Sequence, residues 1–259
     1  MTVAARPTPM VFVHGGAHGA WCWDPLLPYL DREALAVDLP PKSVRSGAGR
    51  LENLPELRTL AIDDFARSVL DDVTAAGFER FVLVGHSMGG LTISEVARRV
   101  PDRVEHLVYV SCMVPPEGAS AIDALPEDLQ EMTRQAVEEA RRGGENPIGG
   151  LDEPTTRSMF CNDMDEKQVR FVLDRTGTEA AVVLAEAVTR AGIPPDLPKT
   201  FVKLLKDQSL PPERQDVLVE NLRASPGGTV DVVTIDSGHD VMISRPEELA
   251  DVLNRIASG

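Results

Sequence analysis

Residues 81–90 read FVLVGHSMGG. Four apolar residues run straight into a hydroxyl hemmed in by glycines. A helix-like segment, Leu91 to Val100, follows and stops at Pro101. A buried strand that turns at once into a helix leaves almost no room at the turn. The residues two before and two after the serine must then be small, because a Cβ there would collide with the adjacent strand and helix. Gly85 and Gly89 meet that demand around His86-Ser87-Met88. G-x-S-x-G is a common pattern, and the strand before it and helix after it are what make it informative. In that context the Ser87 hydroxyl projects from the carboxyl edge of a sheet, and the Met88 N–H points outward at a helix start. A serine capping a glycine-rich helix start is the plainer alternative.

Six near-continuous apolar runs recur along the chain: Met10–Val13, Ala34–Val37, Phe81–Val84, Val104–Val110, Thr200–Leu205 and Val230–Ile235. They read as strands buried on both faces. Between the second and third runs, Ile62, Phe65, Ala66, Val69, Leu70, Val73 and Ala76 follow helical spacing, and Gly77 closes the helix. Leu249, Val252, Leu253 and Ile256 form the stripe of a last helix. This alternation predicts an α/β fold: a mostly parallel six-stranded sheet with helices on both faces. The 259 residues, 42% hydrophobic, supply one sizeable core.

Residues 113–198 break the rhythm. PEDLQEMTRQAVEEARRGG predicts a charged helix, and a second helical stretch is expected from about Glu166 to Ala191. Pro115, Pro116, Pro194, Pro195 and Pro198 bracket the region. The expected organisation is a core of residues 1–112 and 199–259, with a helical cap, 113–198, inserted before the penultimate strand of a single structural domain. An ordinary long helical crossover is the alternative.

Acidic residues outnumber basic ones 41 to 26, for a formal charge of −15. Such a surface repels phosphate backbones and anionic lipid, which argues against nucleic-acid or membrane partners. The three cysteines, Cys22, Cys112 and Cys161, are odd in number and far apart, which suits a reducing compartment. The N-terminus, MTVAARPTPM, has no apolar stretch of signal-peptide type. The expectation is a cytoplasmic protein. Arginine outnumbers lysine, as in proteins of GC-rich bacterial genomes. The oligomeric state is left open, a homodimer included.

A serine hydroxyl needs a base to act as a nucleophile. Of five histidines, His239 is the candidate. It lies in VVTIDSGHDVM, after the last expected strand, in a loop that opens at the same sheet edge as Ser87. His14 sits in the first glycine-rich turn, His86 beside the serine, and His18 and His106 have no supporting context. The base needs a carboxylate to fix its tautomer. Asp207, in FVKLLKDQSLPPE, follows the penultimate strand. Asp196, Asp236 and Asp240 compete. Asp196 precedes its strand, and Asp236 and Asp240 lie too close in sequence to reach around the ring. In VFVHGGAHGAW, residues 11–21, a strand ends in glycines that let backbone approach a ligand. The Gly16 and Met88 amides then form a candidate oxyanion hole. His14-x-x-x-His18 has zinc-ligand spacing, but glycines between them disfavour helix and no HExxH glutamate is present. GxxxxGK[ST] is missing, which excludes a phosphate loop of that kind. No metal is expected.

HGGAHGAW, GHSMGG, KDQSLP and GHD together resemble the α/β-hydrolase superfamily. More narrowly they are similar to the plant methylesterase and hydroxynitrile lyase family and its bacterial serine-esterase relatives. The resemblance spans nearly the whole chain and includes SMF at 158–160, in the expected part of the cap. It implies a six-stranded sheet under a small helical cap and no cofactor. Ser87, Asp207 and His239 fall on the family triad, in the chain order expected of it. Gly16 and Met88 fall on its oxyanion hole. The lyases carry a threonine and a lysine where this chain has Gly15 and Asp240. Neither replacement can hold a cyanohydrin oxygen or stabilise cyanide, so lyase activity is not expected.

The resemblance implies a serine esterase or lactonase acting through an acyl-serine on a small to medium apolar ester or lactone. Acyl transfer or thioester cleavage on the same triad, and a small-molecule receptor with slow or no turnover, stay open. Between elbow and cap, Gly15, Trp21, Met88, Met113, Leu125, Leu129, Met132, Met159, Phe160 and Phe171 are the candidate substrate contacts. Flexible methionines and the lack of tryptophan and tyrosine in the cap favour an apolar, adaptable pocket.

Overall fold

The computed structural model describes residues 7–42, 55–143, 151–225 and 229–256. Six strands form one sheet: β1 (Met10–Val13), β2 (Ala34–Val37), β3 (Phe81–His86), β4 (Val104–Val110), β5 (Lys199–Leu204) and β6 (Asp231–Ile235). Their order across the sheet is β2-β1-β3-β4-β5-β6, and all five pairings are parallel. Side chains alternate between two cores, as strand geometry requires. Val11, Val13, Leu83, Leu107, Tyr109 and Phe201 face one apolar cluster. Met10, Phe12, Val84, Val108, Val110 and Val202 face the other.

Helices cover both faces. The first cluster takes up α1 (Ile62–Ala75), α2 (Gly89–Arg99) and α6 (Pro212–Arg223). The second takes up α7 (Val241–Ser244) and α8 (Pro246–Ile256). α1 ends as its pattern predicts, with Gly77 in the left-handed region at φ 72°. Full burial on both faces holds for the inner strands only. β2 and β6 are the sheet edges, and they are half-buried or exposed along most of their length because one flank lacks a neighbour.

The insertion between β4 and β5 holds α3 (Glu127–Arg141), α4 (Glu153–Phe160) and α5 (Glu166–Leu173), with short 3-10 turns at Ile122–Ala124 and Ala181–Ala185. Asp152 caps α4 by accepting from the Thr155 amide at 2.8 Å, and Asp165 with Gln168 forms a capping box at the start of α5. The helix expected to reach Ala191 stops at Leu173. There the chain leaves helical bonding, and the Gly177 amide donates to Ala17 O at 2.9 Å on the opposite side of the site. A tertiary tie overrides the helical pattern. No helix among the described residues is long and apolar enough to cross a membrane.

Strand order reverses between β1 and β3: from β1 the chain moves outward to β2, then returns to the other side at β3. At such a switch the loops leaving the two carboxyl ends diverge and open a crevice. The loops in question are residues 14–19 and the turn at Ser87.

Candidate active site

Ser87 sits between β3 and α2 with φ 51°, in the left-handed region that a side chain rarely adopts. The strain is held by bonds on both sides. The Ser87 amide donates to Val110 O at 3.2 Å, while its carbonyl accepts from Met113 N at 2.9 Å and Gly90 N at 3.1 Å. A Cβ on Gly89 would lie 2.8 Å from the carbonyl oxygens of Val13 and His14, and one on Gly85 would lie 2.9 Å from the Ile93 side chain. The small-residue demand at both positions is therefore a matter of backbone and helix contact.

Asp207 follows β5 and His239 follows β6, and they meet. His239 Nδ1 donates to Asp207 Oδ2 at 2.6 Å, with both residues buried. The same oxygen accepts from Ser111 Oγ at 2.6 Å, and Oδ1 accepts from the Ser209 and Leu210 amides at 2.8 Å each. Burial favours the neutral carboxyl, but the His239 charge and bond, with Ser111 and the Leu210 amide, outweigh it and hold Asp207 below the usual carboxylate range. Burial likewise favours the neutral ring at His239, but the Asp207 charge and hydrogen bond, with the Asp240 charge, raise it above 6.5. The Ser87 hydroxyl lines the cavity at this edge and makes no hydrogen bond to the His239 ring. The structure thus joins Asp207 to His239, and Ser87 stands in the cavity wall with Ser209 and Leu210, whose amides bond Asp207.

The remaining candidates separate. Asp236 is exposed and bound to Lys206 at 2.6 Å. Asp240 is buried and accepts from His18 Nε2 at 2.9 Å. Burial opposes its charge, yet the His18 contact and the nearby rings of His86 and His239 keep its carboxyl low. His86 donates from Nε2 to His239 O at 3.0 Å. Burial and the His239 charge push the His86 ring down to about 3, so it is neutral. His14 accepts from the Leu39 amide at 3.1 Å and donates to Gly15 O at 2.8 Å. His106 bonds Thr200 Oγ1 at 2.9 Å on β4, far from this edge. His86, His239 and Asp240 bring one ligand-type atom each to within 4.8 Å of one another, the one such cluster among the described residues.

A cavity of about 230 Å³ opens over Ser87. Gly16, Met88, Met113, Leu125, Met159 and Phe160 are in its wall, as expected. Trp21, Leu129, Met132 and Phe171 are not. Leu129 and Met132 are exposed on α3, 38% and 61%. That helix buries Val137 and Ala140 instead. Trp21 stacks on the His18 ring at 5.2 Å and meets Phe171 edge-on at 5.6 Å, behind the wall. Gly15 is not in the wall of this cavity either. A Cβ there would lie 2.7 Å from Ser87 Cβ, so its smallness makes room for the serine. Ala17, Ala121, Ile122, Leu151, Leu184, Ser209 and Leu210 complete the wall unforeseen. Of these, only Ser209 and Leu210 carried a signal, being next to Asp207 in sequence.

A model described as the alpha/beta hydrolase family matches residues 10–252. The chain belongs to that family. It is 27% identical to the probable esterase PIR7A of Oryza sativa, covering 96% of each chain. It is 29% identical to a carbendazim hydrolyzing esterase of Nocardioides, covering 94% of this chain and 97% of that one. Among solved structures, an extracellular alpha/beta-hydrolase from a Paenibacillus species superimposes with a TM-score of 0.76 at 20% identity, covering 96% and 98% of the two chains. With esterases along its whole length as relatives, this α/β-hydrolase is an enzyme of the carboxylic-ester hydrolase class.

The cytoplasmic expectation does not stand beside these relatives. One is extracellular, and another, 26% identical, is a putative chloroplastic methylesterase of Arabidopsis thaliana. The cysteine argument fails for a physical reason. Cys22, Cys112 and Cys161 are all free and buried, and burial raises their thiols, Cys161 to about 12. Buried protonated thiols are inert in any redox compartment.

Proposed function

We propose that the protein hydrolyses a carboxylic ester or lactone of a small to medium apolar substrate through an acyl-serine. Ser87 attacks the carbonyl while His239 Nε2 takes its proton, and Asp207 fixes the ring with Nδ1 protonated. The Gly16 and Met88 amides receive the oxyanion, a contribution of about 10²–10³ in rate for one donor. The leaving alcohol takes the proton from His239, and water activated by the same ring releases the acid. The insertion acts as a cap whose apolar wall holds the acyl or alkyl part.

The observation that carries this reading is the 2.6 Å bond from His239 Nδ1 to Asp207 at the edge where Ser87 is held left-handed against a cavity. Catalytic hydrogen bonds often tighten only in the substrate complex, which accounts for the unmade link from Ser87 to His239. A panel of aryl esters, lactones and thioesters, run beside labelling with a serine-directed phosphonate, tests it. Labelling of Ser87 with ester or lactone turnover is expected. Labelling with no turnover on any substrate would make the protein a receptor, and turnover of thioesters alone would name a different hydrolase.

A further inference from the structure

Asp240 and His18 are 222 residues apart in sequence and 2.9 Å apart in space, both buried, 0% and 3% exposed. The esterase reading leaves them unused. His18 Nδ1 lies 2.7 Å from Gly16 O, which can only accept. His18 Nε2 faces the Asp240 carboxylate, which also only accepts. The ring thus bridges the Gly16 carbonyl to the Asp240 side chain. Trp21 stacks on the ring at 5.2 Å.

The pair holds a loop that cannot hold itself. Gly15 and Gly16 lack side chains, and Ala17 is left-handed at φ 64°. Each carbonyl of this segment is bonded: Gly15 O by His14, Gly16 O by His18, and Ala17 O by the Gly177 amide at 2.9 Å. Gly16 and Ala17 stand in the cavity wall beside Ser87 and Met88. The chain that supplies the anchor is the chain that supplies the base, since Asp240 follows His239. One residue reaches Asp207 and the next reaches His18.

The geometry points to a second histidine–aspartate pair, His18 with Asp240, that acts as a positioning device: it ties the 15–17 loop to the segment carrying His239 and sets the Gly16 amide for the oxyanion. This rests on the esterase reading of Ser87. A misplacement of about 1 Å at such a donor costs about 10²-fold in rate. Binding of the apolar substrate does not use the donor, so the loss falls on kcat.

The test compares Asp240→Asn, His18→Gln and the double variant with the wild type on an aryl ester, with thermal unfolding alongside. Each single variant is expected to lose about 10²-fold in kcat with KM within about threefold. The double variant should be no worse than the singles, because the pair acts as a unit. Wild-type kcat in either single variant, a change in KM alone, or losses that multiply would overturn the inference. Nitrogen-15 spectra of histidine-labelled wild type, assigned with His18→Gln, give a readout that needs no variant to be active. The His18 Nε2 resonance is expected to move on Asp240→Asn, and an unmoved resonance would overturn the pair. Turnover that survives Ser87→Ala removes the esterase reading instead, an outcome separate from all of these.

Discussion

Ser87 and Met159 face one cavity from opposite sides, and the two sides are held differently. On one side, the Ser87 backbone is bonded at both its amide and its carbonyl, and Asp207 accepts four hydrogen bonds from four different residues. On the other, Met159 belongs to α4, an eight-residue helix; Ser158 Oγ bonds Gln208, and Asn162, just past the helix, donates from Nδ2 to Lys206 O. The Ser87 side is over-determined by backbone and buried bonds, and the Met159 side is tied by exposed side-chain bonds. Reacting atoms need fixed geometry, whereas a wall that only excludes water and fills space can be rebuilt.

The sharpest way to break that contrast is at the Ser87 side. Ser87→Ala is expected to lower turnover by at least about 10⁴-fold while the unfolding transition is kept. Steady-state kinetics and circular-dichroism melts read both. Asp207→Asn should cost about 10⁴, since an amide cannot hold the ring in the working tautomer. If Asp236→Asn were as harmful, the acid would be misassigned. Gly89→Ala places a Cβ 2.8 Å from two carbonyl oxygens. A stability loss of about 2 kcal/mol in urea unfolding and about 10²-fold in kcat is expected, and an unchanged variant would mean the Ser87 side yields more than its contacts imply.

Titration sharpens the contrast further. His239 must be neutral to accept the serine proton, and its ring is raised above 6.5. The acid limb of kcat/KM should therefore have its midpoint above 6.5, falling about tenfold per pH unit below it. Stability runs the other way. The raised His239 contributes fully below 6.5 and is lost as pH rises through its folded value. The lowered Asp207 contributes above the ordinary carboxylate range and is lost as pH falls through its folded value. The pair supports the fold most between about pH 4 and 6.5, on the falling acid limb of activity. A midpoint below 6.5 would count against the Asp207 bond. The smallest effect belongs to the Met159 side: Met159→Ala should raise KM by at most about tenfold and leave kcat within about twofold.

The same contrast governs how much could be read from the chain. All six strands and the elbow were legible, because buried parallel strands must be apolar runs and a strand-to-helix turn must be glycine-rich. That Asp207 and His239 meet, at the sheet edge where Ser87 turns, was legible because each of the three lies just beyond the carboxyl end of a strand. The insertion was legible only as helical. Its second long helix was misjudged because Gly177 is drawn to Ala17, a partner 160 positions earlier in the sequence. Leu129 and Met132 misled because a charged helix can carry apolar residues outward. His18 seemed to lack context, since its partner comes almost at the other end of the chain.

That last separation has a consequence for birth rather than for work. The site draws on residues 14–18, 87, 207 and 239–240, so no stretch emerging early from the ribosome contains a functional centre. The early strands can pair as they appear, but on the proposed reading the hydroxyl stays idle until the segment around residue 240 has been released. Anything that truncates translation before that point leaves a sheet without an enzyme.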